Sequence, residues 1–168
     1  MSRASPSLRM PTIPVAVDLA SIDGQVRRYE VFVAPHQEHA YRRQHLIDLL
    51  EVPSSFMPAR DVVEDRWVLA NKATLVWAAV PLTDGALPIE EEAESFEPQL
   101  YDVQAVVTIE LAAHPAIEGQ VLYSPPADHA RVADYLNQPG RFFRLWTTER
   151  LYLINKDHVL RVHEAPEE

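Results

Sequence analysis

No cysteine occurs among the 168 residues, which excludes disulfides, thiolate metal sites and cysteine nucleophiles together and fits a reducing compartment. Only four glycines are present, so no glycine-rich loop is available to cradle a phosphate. Few serines lie outside the first ten residues, and none of them (Ser21, Ser54, Ser55, Ser95, Ser124) stands in a Gly-x-Ser-x-Gly context. Basic residues are scarce as well: 15 Lys and Arg against 25 Asp and Glu leave a formal net charge of -10. That balance disfavours nucleic acid, whose sequence-independent binding rests on clustered Lys and Arg, and an anionic membrane for the same reason. No apolar run approaches bilayer-spanning length, and Met1-Ser2-Arg3-Ala4-Ser5-Pro6 lacks the apolar core of a signal peptide. The expectation is a cytoplasmic protein that binds neither nucleic acid nor membrane.

What is present is an apolar content of 47%, enough for a core in one ordinary domain or a compact pair of small ones. Much of the acid is concentrated in Glu90, Glu91, Glu92, Glu94 and Glu97 and in Glu164, Glu167 and Glu168, the pattern of a solvated linker and tail.

The chain also reads as if written twice. Asp48-Leu49-Leu50-Glu51, Phe56 and Asn71-Lys72 recur as Asp134-Tyr135-Leu136-Asn137, Phe142 and Asn155-Lys156, with one indel of two residues. Upstream, Val17-Asp18-Leu19 matches Ile109-Glu110-Leu111, and Tyr29 to Val33 matches Glu118 to Tyr123. A repeated segment is ordinarily one folding unit.

Local patterning gives the unit its order. Val15, Val17 and Leu19 alternate with Ala16 and Asp18, Asp23-Gly24 supplies a turn, and Tyr29, Val31 and Val33 alternate again, which predicts a hairpin. Between His39 and Glu51 the period changes: Leu46, Leu49 and Leu50 share one helical face, Arg42 and Arg43 lie outside it, and Pro53 stops the helix. Strands follow around Trp67-Leu69 and Leu75-Trp77, joined at Asn71-Lys72, where Asn suits the left-handed backbone of a tight turn; Phe56 marks a further short strand. The second half repeats this with Tyr101-Ala112, Gln120-Tyr123, a helix capped by Asp128 and carrying Val132, Tyr135 and Leu136, and strands containing Phe142, Leu145, Leu151, Leu153, Val159 and Val162. The predicted fold is mostly β with short helices. It consists of two tandem repeats of a small antiparallel barrel or roll (β-β-α-β-β) packed as a pseudo-two-fold pair. Residues 1–12 form a disordered leader, 13–82 the first module, 83–99 an acidic proline-containing linker, 100–163 the second module and 164–168 an acidic tail.

In Arg131-Val132-Ala133-Asp134-Tyr135-Leu136-Asn137, Arg141-Phe142-Phe143-Arg144-Leu145 and Ile154 to Val162, the second copy resembles a group of small bacterial β-rich proteins with no established activity. The resemblance covers the last third of the chain and supports the module boundary. The strand pattern is also similar to the Sm or SH3 type of small barrel, with the difference that the helix here follows the second strand.

Several polar groups are candidate sites. His36, His39 and His45, with Glu38 nearby, are residue types that hold a metal where thiolates are absent, although the second module has only His129 in the equivalent stretch. Arg27, Arg28, Lys72, Lys156 and His158 are candidates for an anion or small ligand, and exposed hairpin lysines are the plainer account of the two Asn-Lys pairs. Asp48 and Asp134 invite a carboxylate pair but suit the polar side of a short helix. A PilZ-type cyclic-dinucleotide site is not matched, since Arg27-Arg28 is not followed by an Asp-x-Ser-x-x-Gly segment.

The aromatic residues Trp67, Trp77, Trp146, Phe142, Phe143 and Tyr152 fall at alternating strand positions, so most are expected in the core. Phe142 and Phe143 are adjacent and must point to opposite faces of a strand, which leaves one at a module interface or exposed. The leading expectation is therefore a protein without catalytic residues or cofactor, acting as an interaction or regulatory adapter. Its apolar surface would include Phe142, Phe143 and Trp146, and its partner would be another protein or a second copy in a homo-oligomer. The alternative is a small-ligand sensor or an enzyme with its site in the cleft between the modules, using Arg27, Arg28, Lys72, Asp134, Lys156 and His158.

Overall fold

A computed structural model describes residues 12–34, 45–82, 101–125 and 131–166 of the chain. Residues 1–11 of the predicted leader, the acidic segment around Glu90-Glu97, the last two tail residues, His36, His39, Arg42, Arg43, Asp128 and His129 lie outside the described residues. The elements of the first half are β1 (Ile13–Ser21), β2 (Val26–Val33), α1 (Leu46–Glu51), β3 (Phe56–Asp61), β4 (Arg66–Asn71) and β5 (Leu75–Pro81). Those of the second are β6 (Val103–Leu111), β7 (Ile117–Tyr123), α2 (Val132–Leu136), β8 (Phe142–Trp146), β9 (Arg150–Asn155) and β10 (Val159–Glu164). The further strand marked by Phe56 is β3, so each half has five strands and one short helix.

All ten strands belong to one antiparallel sheet in the order β10-β6-β7-β8-β9-β5-β1-β2-β3-β4. The sheet is not closed: β10 and β4 are its two ends. Each half contributes its strands in one order, the fifth beside the first and then the second, third and fourth. The halves join where β9, the fourth strand of the second half, pairs β5, the fifth of the first, from Trp77↔Ile154 to Pro81↔Arg150. The expected pair of separate rolls is seen only as two sets of strands in the same order within one open sheet, with β10 and β4 not paired to each other.

The registers also recur. β1 runs Leu19↔Ala78, Ala20↔Trp77, Ser21↔Leu75 and so skips Val76, while β6 runs Ile109↔Val162, Glu110↔Arg161, Leu111↔Val159 and skips Leu160. Ser21 therefore corresponds to Leu111 and Leu19 to Ile109, two residues away from the match read from Val17-Asp18-Leu19. Short apolar motifs slide easily on themselves, and the bulge fixes the register only once the fifth strand is seen beside the first.

The sheet carries apolar clusters on its two faces. Val17, Leu19, Val31, Leu50, Met57 and Ala78 of the first half pack with Leu122, Phe142, Trp146, Leu151 and Leu153 of the second. The other cluster joins Val107, Ile109, Val121, Phe143, Leu145 and Ile154 to Ala20, Val76, Trp77 and Ala79 of the first half. Strands β5, β8 and β9 feed both clusters by alternation, which is why they read as near-continuous apolar runs, whereas β4 and β10 at the ends are largely exposed. Each fully buried Leu such as Leu151 or Leu153 stabilises the joined halves by about 2 kcal/mol.

The β1-β2 turn forms as the sequence predicts: Gly24 has φ 82°, and its N–H donates to the Ser21 carbonyl at 3.0 Å. The second helix begins at Val132 with Arg131 as its N-cap, not at Asp128. Asp48 and Asp134 have one role each. Their carboxylates accept the N-cap backbone N–H of His45 at 2.9 Å and of Arg131 at 3.3 Å, each reaching back one helical turn.

Candidate functional site

The two Asn-Lys pairs are built alike. Asn71 and Asn155 cap a 3-10 turn between the fourth and fifth strands of their half, with extended backbone (φ -78° and -76°), so the expected left-handed turn does not occur. Their value lies in the side chain: Asn71 Oδ1 accepts the Ala73 N–H at 3.1 Å and Asn155 Oδ1 accepts the Asp157 N–H at 3.0 Å. Nor do the flanking strands form a hairpin, since β4 and β5 are separated in the sheet by β1, β2 and β3.

Both lysine ammonium groups have backbone partners. Lys72 Nζ donates to the carbonyl of Val52 just after α1, and Lys156 Nζ donates to that of Gln138 just after α2, at 2.7 Å. Each ammonium thus satisfies a carbonyl at or just beyond a helix end and ties the helix to the 3-10 turn. Burial pushes both Lys72 and Lys156 below the ordinary lysine value of 10.5; Arg141 lowers Lys72 further and Glu51 opposes the shift at both.

Glu51 is one polar link between the halves. Its carboxylate accepts the backbone N–H of Arg141 at 3.1 Å and of Phe142 at 2.6 Å, fixing α1 against the start of β8. Two further bonds cross the same junction: Asn155 Nδ2 donates to Leu75 O at 2.9 Å, and His158 Nε2 lies 2.6 Å from Ala73 O. His158 is therefore engaged with backbone.

Arg27 and Arg28 are matched by the chain's own acids. Arg28 Nε contacts Asp18 at 3.1 Å, and Arg27 lies 3.7 Å from Asp61 and 3.9 Å from Glu64. The Glu64 backbone N–H, aided by the Val63 N–H, Arg27 and Arg66, holds the Asp61 carboxyl below its ordinary range against the opposing effect of burial. Of the histidine trio only His45 is described, at the start of α1, and no group of three metal-binding side chains occurs among the described residues.

The apolar surface differs from the one expected. Phe142, Phe143 and Trp146 are 4%, 4% and 5% exposed: Phe142 and Trp146 enter the cluster shared with the first half, and Phe143 enters the other. Adjacent phenylalanines do face opposite sides, but neither is available to a partner. Trp67, expected in the core, is 64% exposed, beside Leu69 at 68% and Phe56 at 54%. The pairs Phe56↔Asn71, Pro58↔Leu69 and Arg60↔Trp67 put these side chains on one face of the β3-β4 ribbon at the open end of the sheet. Phe32 stacks on Trp67 with ring centroids 5.1 Å apart and holds the indole in place.

A cleft of about 330 Å³ lies across the two halves, lined by Trp77, Pro115, Ala116, Ile117, Glu118 and Tyr152. Tyr152 packs edge-on to Trp77, whose indole N–H has no partner among the described residues. None of Arg27, Arg28, Lys72, Lys156 or His158 lines it.

Comparison of the chain with protein-family models, with curated proteins and with solved structures finds no match.

Proposed function

We propose that this chain is a non-enzymatic protein that acts by contact, and that its halves are two copies of one small antiparallel roll. The observation that carries the reading is the exposed face of Phe56, Trp67 and Leu69. Leaving three large apolar side chains together in water is unfavourable, and burying them against a partner gains roughly 25 cal/mol per Å² of apolar surface removed from water. In support, the conspicuous repeated polar residues have structural employment: Asp48 and Asp134 cap helices, Asn71 and Asn155 cap 3-10 turns, and Lys72 and Lys156 bond carbonyls at helix ends. The adapter therefore docks through the β3-β4 face, in place of the strip around Phe142, Phe143 and Trp146.

The test is a double variant, Trp67→Asp with Leu69→Asp, compared with the native chain by circular dichroism and light scattering. Both changes sit on an exposed face, so the fold and thermal midpoint stay close to native while association is lost. Native-like association in the variant would count against the reading.

A second reading, a small ligand held in the cleft between the halves, draws on the unpartnered Trp77 indole N–H. A thermal-shift screen against nucleotides, sugar phosphates and divalent metals separates the two, because a ligand that binds only the native state raises the midpoint by mass action.

A further inference from the structure

We propose that copies of this chain associate head to tail, β4 of one copy pairing β10 of the next, in a repeat of the β9-β5 junction inside the chain. The proposal rests on the contact reading above and names the occupant of its surface.

Inside the chain, the fourth strand of one half pairs the fifth strand of the other. The two sheet ends left over are the fourth strand of the first half and the fifth of the second. They are the same two complementary edges, presented at opposite ends of one molecule. An interface of this kind is heterologous, and it propagates to further copies until the rotation closes a ring.

Side chains bear out the match. In the internal junction Phe142, Leu151 and Leu153 are 4%, 1% and 0% exposed, packed in the cluster shared with the first half. The shared Asn-Lys turns and the Phe56↔Asn71 and Phe142↔Asn155 pairings make Phe56, Trp67 and Leu69 their counterparts, and each of these three is more than half exposed. Apolar character has thus been kept at positions whose counterparts in the second half pack against the neighbouring half.

Asparagine tells the same story. Asn155 caps its turn with Oδ1 and spends Nδ2 across the junction on Leu75 O. Asn71 caps its own turn identically, but its Nδ2 has no partner among the described residues. The counterpart of Leu75 is Val159, the first residue of β10. Carrying the internal register over sets Ala70 opposite Arg161, Leu69 opposite Val162, Val68 opposite His163, Trp67 opposite Glu164 and Arg66 opposite Ala165. Glu164 then shares a face with Arg60, the residue opposite Trp67 on the neighbouring strand, a favourable charge match near a pairing edge.

The absence of native cysteine makes the register directly measurable. Arg66→Cys and Ala165→Cys are made in separate full-length chains, mixed and oxidised; both positions are exposed, and a disulfide needs Cα atoms within about 7 Å. The expected result is a covalent heterodimer in the mixture, none with either chain alone, and none when Arg161→Cys replaces Ala165→Cys. The doubly substituted chain should give a ladder of higher species. Cross-linking of the Arg66→Cys chain to itself would show an isologous edge and overturn the proposal, as would a native chain that scatters light as a monomer with no cross-link. In that last case the contact reading falls too only if the Trp67→Asp, Leu69→Asp chain recovers the same proteins from its source extract as the native chain.

Discussion

The side-chain amide of Asn155 donates to the backbone carbonyl of Leu75 at 2.9 Å, joining a fully buried residue of the second half to the first residue of β5. Asn155→Ala removes this bond and the 3-10 cap together and strands a carbonyl, so it should destabilise the protein by about 2 kcal/mol. Asn71→Ala loses only the cap within one chain, and about 1 kcal/mol is expected. Urea unfolding of dilute protein measures both; equal losses would show that the cross-half bond contributes nothing.

Glu51 holds α1 against β8 through two backbone N–H groups, and it opposes the downward shifts of Lys72 and Lys156. Glu51 is exposed, so the two bonds together are discounted to about 1 kcal/mol. Glu51→Ala should cost that much and lower both lysine pKa values further. NMR titration of the two ammonium groups reads the second effect, which a loss of packing alone would not produce.

The buried Lys72 imposes a pH dependence of definite sign. Its pKa is lower folded than unfolded, chiefly through burial, so between the folded value and 10.5 the unfolded chain binds more protons and stability rises with pH. Below the folded pKa the buried charge is a constant cost. Lys72→Met should remove this contribution, making the variant's stability less favoured by rising alkaline pH than that of the native chain. Comparing the two chains cancels the opposite contribution of Tyr123 and Tyr135, whose phenols burial pushes up. Parallel stability curves for the two chains would refute the assignment.

Gly119 of β7 lies directly against β8. A Cβ there would lie 2.6 Å from the Trp146 carbonyl oxygen and 2.9 Å from Leu145 Cγ, next to the Gln120↔Trp146 pair that joins the strands. Gly119→Ala should cost about 2 kcal/mol or more and loosen β7 from β8. Hydrogen exchange at the Gln120 and Trp146 amides should accelerate more than exchange in β1 and β2; uniform exchange would contradict local separation.

Local order was legible in the chain because its causes are local. The Asp23-Gly24 turn, the alternation in Tyr29 to Val33, the stop at Pro53 and the caps formed by Asp48 and Asn71 all express backbone preferences or contacts within a few residues. The helix cap at Asp134 lies in that range too. Asn71 and Asn155 are legible as turn residues, but it is their side-chain oxygens, not a left-handed backbone, that make the turns.

Neighbouring residues alone specify a mostly β chain with short helices and a motif that occurs twice, since alternation, turn residues and caps are local properties. That β5 pairs β1 and β9, that the halves fuse into one open sheet, and that Phe142 is covered while Phe56, Trp67 and Leu69 are not follow from long-range pairing. Alternation assigns two side chains to opposite faces of a strand but carries no information on which face another part of the chain will cover. That is settled by strand pairings far apart in sequence, whose energy comes from contacts no local pattern contains.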